Sequence, residues 1–350
     1  MTELFFDGRF IKTDQPDGIS RFSLSLIAEL KQLVELTVIT SSKEQRELVG
    51  DGVKHVTIWP ATSLLEPFTA LRLNSLGAKV VFSPMQTTSS LGKRFKLILT
   101  LHDLIYYRHN TPPKEFNPVI RAIWYLYHLS FWPQRMVLNR ADAVVTISET
   151  SKRAIEKHRL TKRPITVISN ASSPVTPGAN GRHSKTLIYM GSFMPYKNVE
   201  TLIRAMALIP DYELLLLSKI GSERQKELEA LDSQGQVKFL GGVSEHDYQE
   251  LLKSSHALVS ASLDEGFGIP IVEAMSHGTP VVLSDIEIFK EVAGDAGYFF
   301  AKQDPDSFAQ AILRLGESWE EGSKRALKAA ERFSWASSAK DLVKLVRSLT

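Results

Sequence analysis

Apolar runs of strand length, each followed by a longer amphipathic stretch, recur from one end of this chain to the other, and that alternation restricts the fold most. Strands separated by helices pair most readily in parallel, through crossovers, so the pattern predicts an α/β protein with mostly parallel sheets. In the first half the strand-like runs are residues 3–6, 36–40, 54–58, 79–83, 96–101, 142–147 and 165–168. In the second half they are TLIYM, ELLLL, VKFL, HALVSAS, PVVLS and GYFF, separated by helical patterns such as VETLIRAMALI and EHDYQELLKSS. Between the two sets lies SPVTPGANGRHS, Ser173 to Ser184, whose prolines and glycines and lack of apolar periodicity read as a linker. At 350 residues the chain is longer than one hydrophobic core usually serves. The reading is therefore two Rossmann-like, doubly wound domains, 1–172 and 173–334, facing each other across a cleft. The closing stretch, about 335–350, carries Leu342, Val343, Leu345 and Val346 at helical spacing and is expected to pack back on the first domain. Ligands of such sheets gather at the carboxyl ends of the strands, so function is expected in the cleft.

Zero cysteines removes disulfide frameworks, thiolate metal sites and cysteine nucleophiles together, and it fits a reducing compartment. The start, MTELFFDGRF, carries Glu3 and Asp7 where an export signal needs a basic end and an apolar run, so a cytoplasmic location is expected. Net charge is +3, but residues 1–170 hold 23 Lys and Arg against 15 Asp and Glu, leaving 19 against 24 for the remainder. A basic first half reads either as a solvated surface or as a face for anionic lipid or a phosphorylated substrate.

The motifs that two Rossmann-like domains first bring to mind are absent. No G-x-G-x-x-G follows a strand, and there is no G-x-x-x-x-G-K-[ST], G-x-S-x-G or H-E-x-x-H, which argues against dinucleotide oxidoreductases, P-loop NTPases, serine hydrolases and zincins. The one D-x-D, Asp304-Pro305-Asp306, stands where a helix should start and is read as a cap rather than a metal site.

What is present points to an anionic ligand. In VSASLDEGFGIPIVEAMSHGTPVVLS, residues 259–284, Glu265 and Glu273 bracket a glycine-rich loop with seven residues between them. Gly266 and Gly268 let backbone amides approach a ligand, and the amides of Phe267, Gly268 and Ile269 open a helix, a setting that suits phosphate or sugar oxygens. Glu265 at the loop mouth can accept from sugar hydroxyls, and Glu273, further along the helix, from both hydroxyls of a ribose. The plainer reading makes both surface acids. Lys197, in YMGSFMPYKNVETLI, lies between a strand and a helix entrance where it can meet a diphosphate. His102 and Asp103 follow a buried strand, LILTL, and Gly18 lies in PDGISRF ahead of a helix that is read from about Ile19.

At this spacing these segments resemble the family-four retaining nucleotide-sugar glycosyltransferases of the GT-B fold. The resemblance runs over nearly the whole chain: the Gly18 loop, His102-Asp103, RADAVVTISETSKRAI, GSFMPYKN, EGFGIPIVEAMSHGTPVV, EVAGDAG and FSW. Within the family it is nearest to bacterial mannosyltransferase B-like enzymes of surface-polysaccharide assembly. It departs from the general pattern at Ser192, where an arginine would assist Lys197, and at Tyr196, where the subgroup often has another basic residue. The resemblance implies a nucleotide-sugar donor, GDP-mannose or a UDP-sugar, held mainly by the second domain, an acceptor held mainly by the first, and no metal. It assigns Glu265 and the Phe267, Gly268 and Ile269 amides to the sugar and β-phosphate, Glu273 to the ribose, Lys197 to the diphosphate and His102 to the donor sugar. It places Gly241-Gly242-Val243 around the nucleobase. Retention by double displacement needs a carboxylate nucleophile that no spacing singles out, so same-face attack, with the leaving phosphate taking the acceptor proton, is the expected course.

Residues 118–140, PVIRAIWYLYHLSFWPQRMVLNR, mix Trp124, Tyr125, Tyr127, Phe131 and Trp132 with Arg121, Arg135 and Arg140, and SKRAIEKHRLTKR lies nearby. This reads either as a contact with an anionic membrane, suiting a glycan or polyprenyl-linked acceptor, or as helix core with a basic face. No nucleic-acid motif accompanies the basic half. A nucleotide-sugar epimerase, a sugar phosphorylase and a non-catalytic sugar-nucleotide-binding subunit remain as alternatives.

Overall fold

The computed structural model describes residues 3–14, 17–112 and 117–350, with Val119 described by its backbone alone. It divides into two units, one reaching to Asn170 and resumed at Ser334–Thr350, the other Ala171–Phe333. The first holds seven parallel strands: β1 (Glu3–Asp7), β2 (Glu35–Thr40), β3 (Lys54–Thr57), β4 (Val80–Ser83), β5 (Lys96–Thr100), β6 (Ala143–Thr146) and β7 (Ile165–Val167). Their order in the sheet is β3-β2-β1-β4-β5-β6-β7. The second holds six parallel strands: β8 (Thr186–Tyr189), β9 (Glu213–Leu216), β10 (Val237–Phe239), β11 (Ala257–Ser260), β12 (Val281–Ser284) and β13 (Gly297–Phe300). Their order is β10-β9-β8-β11-β12-β13. Both sheets are doubly wound, the winding reversing between β1 and β4 in one and between β8 and β11 in the other. Every strand-like run of the sequence is a strand, and the central ones are buried on both faces, which is why they read as unbroken apolar runs.

Local chemistry sets the helix starts. Asp17 caps the helix Gly18–Leu30 by accepting from the Ser20 amide at 2.9 Å, so the helix begins one residue before the expected Ile19; Pro16 lies outside the described residues. Asp304 caps Pro305–Glu317 by accepting from the Ser307 amide at 3.0 Å, with Pro305 at the first helical position. The terminal helix Trp335–Leu349 packs on Gly18–Leu30, with the Trp335 and Phe22 ring centroids 6.0 Å apart, and Ser338 donates its hydroxyl to the Ser169 carbonyl at 2.7 Å.

The segment read as a linker carries no helix or strand before a 3₁₀ turn at Gly181–His183, yet it is fastened to the second unit. The Gly178 and Ala179 amides donate to the His277 carbonyl at 3.1 and 3.0 Å, and the Asn180 amide to the Lys253 carbonyl at 2.9 Å. A Cβ on Gly181 would lie 1.8 Å from the Ser255 carbonyl oxygen, so only glycine fits that approach. Among the described residues, no helix is long and apolar enough to cross a membrane.

Candidate functional site

In the second unit the carboxyl ends of β8 and β11 lie side by side at the point where the winding reverses. The loop after β8 carries Lys197 and the loop after β11 carries Glu265, residues 68 apart in sequence, and the two side chains form an ion pair. Both are largely shielded, with side-chain exposures of 14% and 18%. Two further bonds stitch the loops together, and a third steadies the first of them from within. The Leu263 amide donates to the Tyr196 carbonyl at 2.7 Å, Asn198 Nδ2 to the Ala261 carbonyl at 3.2 Å, and Thr201 Oγ1 to Asn198 Oδ1 at 3.0 Å. Asn198 adopts a left-handed conformation, φ 51°, ψ 41°, that turns the chain from the Lys197 turn into the helix Val199–Met206. Tyr196 stands where a basic residue was expected, and its ring centroid is 5.5 Å from the Lys197 ammonium.

The helix after Glu265 is Ile269–His277, with Gly268 as its cap at φ +94°. A Cβ there would come within 2.8 Å of the mobile tip of Ile271, Cδ1, so it is the left-handed conformation that requires glycine. Pro270 has no amide proton to offer, and the Ile271 amide turns back to the Gly268 carbonyl at 2.9 Å. Neither residue therefore offers a free amide proton at this terminus. The Phe267 side chain is buried and meets the Phe333 ring edge-on at 5.5 Å, which anchors the loop from beneath.

Glu273, in that helix, is not a surface acid: it is 8% exposed and accepts at Oε2 from the Tyr248 hydroxyl at 2.9 Å. Val243 lies beyond β10, two strands from β8, after Gly241 and Gly242 at φ +67° and +106°. Ser192 contributes its carbonyl to the Tyr189 hydroxyl at 2.6 Å and no charge. Lys219, just past β9, is an exposed cation whose stem runs along Gly242; a Cβ on that glycine would be 3.0 Å from Lys219 Cγ. The adjacent Ser218 hydroxyl accepts from the Gly191 amide at 3.1 Å. Sequence reading passed over Lys219 and Tyr248; Lys219's place at a strand's carboxyl end was the available signal.

In the first unit, His102 follows β5 and its Nε2 lies 2.8 Å from the Pro84 carbonyl. A carbonyl only accepts, so Nε2 carries the proton. Burial pushes the His102 pKa below its usual value, and the neutral ring then keeps Nδ1 as an acceptor. Phe22, from the helix that Gly18 opens, meets the imidazole edge-on at 5.4 Å. At the end of β1 is an ion cluster that sequence reading missed. Arg9 donates to Asp7 at 2.8 and 2.7 Å and to Glu66 at 2.6 Å, and the Thr88 hydroxyl donates to Asp7 at 2.8 Å.

The aromatic stretch divides. Trp124 stacks on His128 at 4.0 Å between centroids and Phe131 on Tyr107 at 4.4 Å, an inward cluster. Ile123, Tyr125, Leu126 and Trp132 face outward, 61%, 45%, 65% and 63% exposed. Part of the basic charge is spent locally: Arg135 donates to the His158 carbonyl at 2.8 Å and Arg163 to the Asn139 carbonyl at 2.9 Å.

Comparison with known proteins bears on the family and the fold. The family profile "Glycosyltransferase Family 4" matches residues 16–172, and "Glycosyl transferases group 1" matches residues 178–333. The chain is 27% identical over 321 residues to an O-antigen chain mannosyltransferase, RfbU, of Salmonella typhimurium, covering 85% of this chain and 87% of that protein. It is 36% identical over 159 residues to O-antigen chain mannosyltransferase B of Escherichia coli, 42% of each. Among solved structures it resembles sucrose-phosphate synthase from Thermosynechococcus elongatus, with a TM-score of 0.75 at 18% identity, covering 100% of this chain and 99% of that one. It also resembles Anabaena Alr3699/HepE in complex with UDP and glucose, with a TM-score of 0.74 at 20% identity over 100% of both. With profiles accounting for both units and α/β neighbours matching from end to end, the chain belongs to the family-four glycosyltransferases of the GT-B fold.

Proposed function

We propose that this glycosyltransferase moves mannose from GDP-mannose to a glycan or polyprenyl-linked acceptor in cell-surface polysaccharide assembly, with retention of anomeric configuration. The observation that carries the donor site is the meeting of Lys197, Glu265 and the capped start of Ile269–His277 at the reversal point of the second sheet. The mannosyl assignment rests on the named activities of the relatives. On binding, Lys197 exchanges its carboxylate partner for the diphosphate, and the released Glu265 accepts from the sugar hydroxyls. The amides of Phe267, Gly268 and Ile269 hold the β-phosphate, Glu273 the ribose, and the segment ending at Val243 the base. Lys219 supplies the second cation that Ser192 does not. Gly18 and the Nδ1 acceptor of His102 serve the sugar and its leaving group.

In the reaction the bond from the anomeric carbon to the diphosphate oxygen breaks as the acceptor oxygen bonds on the same face. The acceptor proton passes to the departing phosphate, giving GDP and the glycoside. Charge builds on the leaving group, so fixed donors there lower the barrier, and no metal or other cofactor is invoked. The outward apolar residues of 123–132 form the contact with an anionic membrane, on the cytoplasmic face where a lipid-linked acceptor is met.

A thermal-shift panel of GDP-mannose, UDP-glucose, and dTDP- and ADP-sugars tests the donor, because a ligand of the native state raises its melting temperature. GDP-mannose giving the largest shift supports the reading. A larger shift with UDP-glucose, the compound bound in a crystal structure of Anabaena Alr3699/HepE, overturns the mannosyl part.

A further inference from the structure

The carboxylate assigned to the ribose is held by a residue that takes no part in the motif. Tyr248 belongs to the helix Glu245–Ser254, is 1% exposed, and donates its hydroxyl to Glu273 Oε2 at 2.9 Å. It does not act alone. The neighbouring Gln249 pairs with His277 Nε2 one turn along the Glu273 helix, and the Thr279 hydroxyl donates to the Leu252 carbonyl. Two bonds thus tie one helix to the other, and a third holds the segment just past the end of the Glu273 helix. The Tyr248 helix starts at Ser244, which caps it by accepting from the Asp247 amide at 3.1 Å, directly after Gly241-Gly242-Val243. One rigid element therefore joins the segment assigned to the base to the carboxylate assigned to the ribose.

A glutamate's terminal torsion is broad, so a carboxylate that must meet two adjacent hydroxyls gains from a donor that fixes its plane. We infer that Tyr248 is a positioning residue for nucleoside recognition: its hydroxyl, bonded to one oxygen of Glu273, sets the plane in which that carboxylate receives the ribose. The inference rests on the donor site proposed above and extends it to a residue outside the glycine-rich motif. A tyrosine that merely filled the core would affect stability and leave nucleoside discrimination untouched.

Titration calorimetry on the full chain separates these roles, with GDP, UDP and inorganic pyrophosphate as probes. Tyr248→Phe keeps the ring and removes the hydroxyl. The expected result is about tenfold weaker binding of whichever nucleotide the wild type prefers, the scale of one hydrogen bond to a charged group, with pyrophosphate affinity within about twofold. In steady state the donor KM rises similarly and kcat stays within about twofold. In a Glu273→Gln background the Tyr248→Phe change adds little, because the group it positions is altered already. Unchanged nucleotide affinity in a folded Tyr248→Phe, or equal weakening of nucleotide and pyrophosphate, overturns the inference while leaving the donor site standing. A wild-type chain that binds no nucleotide overturns the donor site itself, and the inference with it.

Discussion

Replacing Lys197 by methionine removes one charge from the donor site at nearly constant volume, and the structure sets the size of the effect. An ammonium about 4 Å from a phosphate charge, at the effective dielectric of about 20 found near protein surfaces, contributes about 4 kcal/mol. Against this stands the pair with Glu265, which must open before the diphosphate is met. Both side chains are largely shielded, at 14% and 18%, so the desolvation of the two charges offsets most of their attraction and the pair's net hold is about 1 kcal/mol. The difference, about 3 kcal/mol, corresponds to a loss of about 10²-fold in kcat/KM. The loss is electrostatic, so it should also depend on salt. Glycosyl transfer from the donor that gives the largest thermal shift, measured with the nucleotide product at 50 mM and 500 mM salt, checks both parts. The deficit should shrink at the higher salt, where charges are screened over about 4 Å. A folded Lys197→Met enzyme within threefold of wild type at both salts would show that the ammonium does not face the leaving group.

Other expectations follow from different parts of the molecule. Arg9→Met leaves Asp7 and Glu66 without their cation, and Asp7 is fully buried, so it should cost about 3–5 kcal/mol, seen in urea as an earlier transition of the first unit alone. Burial pushes the His256 pKa down to about 4, below the usual 6.5. The unfolded chain therefore binds the extra proton first, and the stability of the second unit should fall by about 3 kcal/mol as pH drops from about 6.5 to 4, a slope that His256→Phe removes from acid melting curves. Vesicle flotation should show binding to mixed neutral and anionic lipid at low salt. Changing Ile123, Leu126 and Trp132 to serine should lower it at least about tenfold, and no binding by wild type removes the membrane contact.

The strands were legible because each is a short apolar run bounded by turn residues, and a run buried on both faces admits few other readings. The glycine-rich loop was legible because Gly268 and Pro270 carry their geometry with them: one supplies a positive φ, the other a helix start. What escaped were the pairings. Lys197 and Glu265 were each singled out, yet nothing in either segment says that they neutralise each other, since that depends on β8 lying beside β11. Tyr248 looked like one apolar position in EHDYQELLKSS, and its tie to Glu273 spans 25 residues of chain. Arg9 was overlooked because Asp-Gly-Arg after a strand resembles any polar turn; only the return of the chain at Glu66 and Thr88 makes it a buried cluster. The aromatic stretch could not be apportioned by periodicity, as Trp124 and Tyr125 are adjacent yet only Trp124 packs into the ring cluster.

The interruption of the first unit by the second has a consequence for how the chain comes to be made. The surface of the helix Gly18–Leu30 that Trp335–Leu349 covers is synthesised more than three hundred residues before its cover. The first unit therefore lacks its last helix, and with it the Trp335 ring that meets Phe22, until the whole of the second unit, a single uninterrupted stretch, has been translated. The part whose translation begins first is thus the part whose translation ends last.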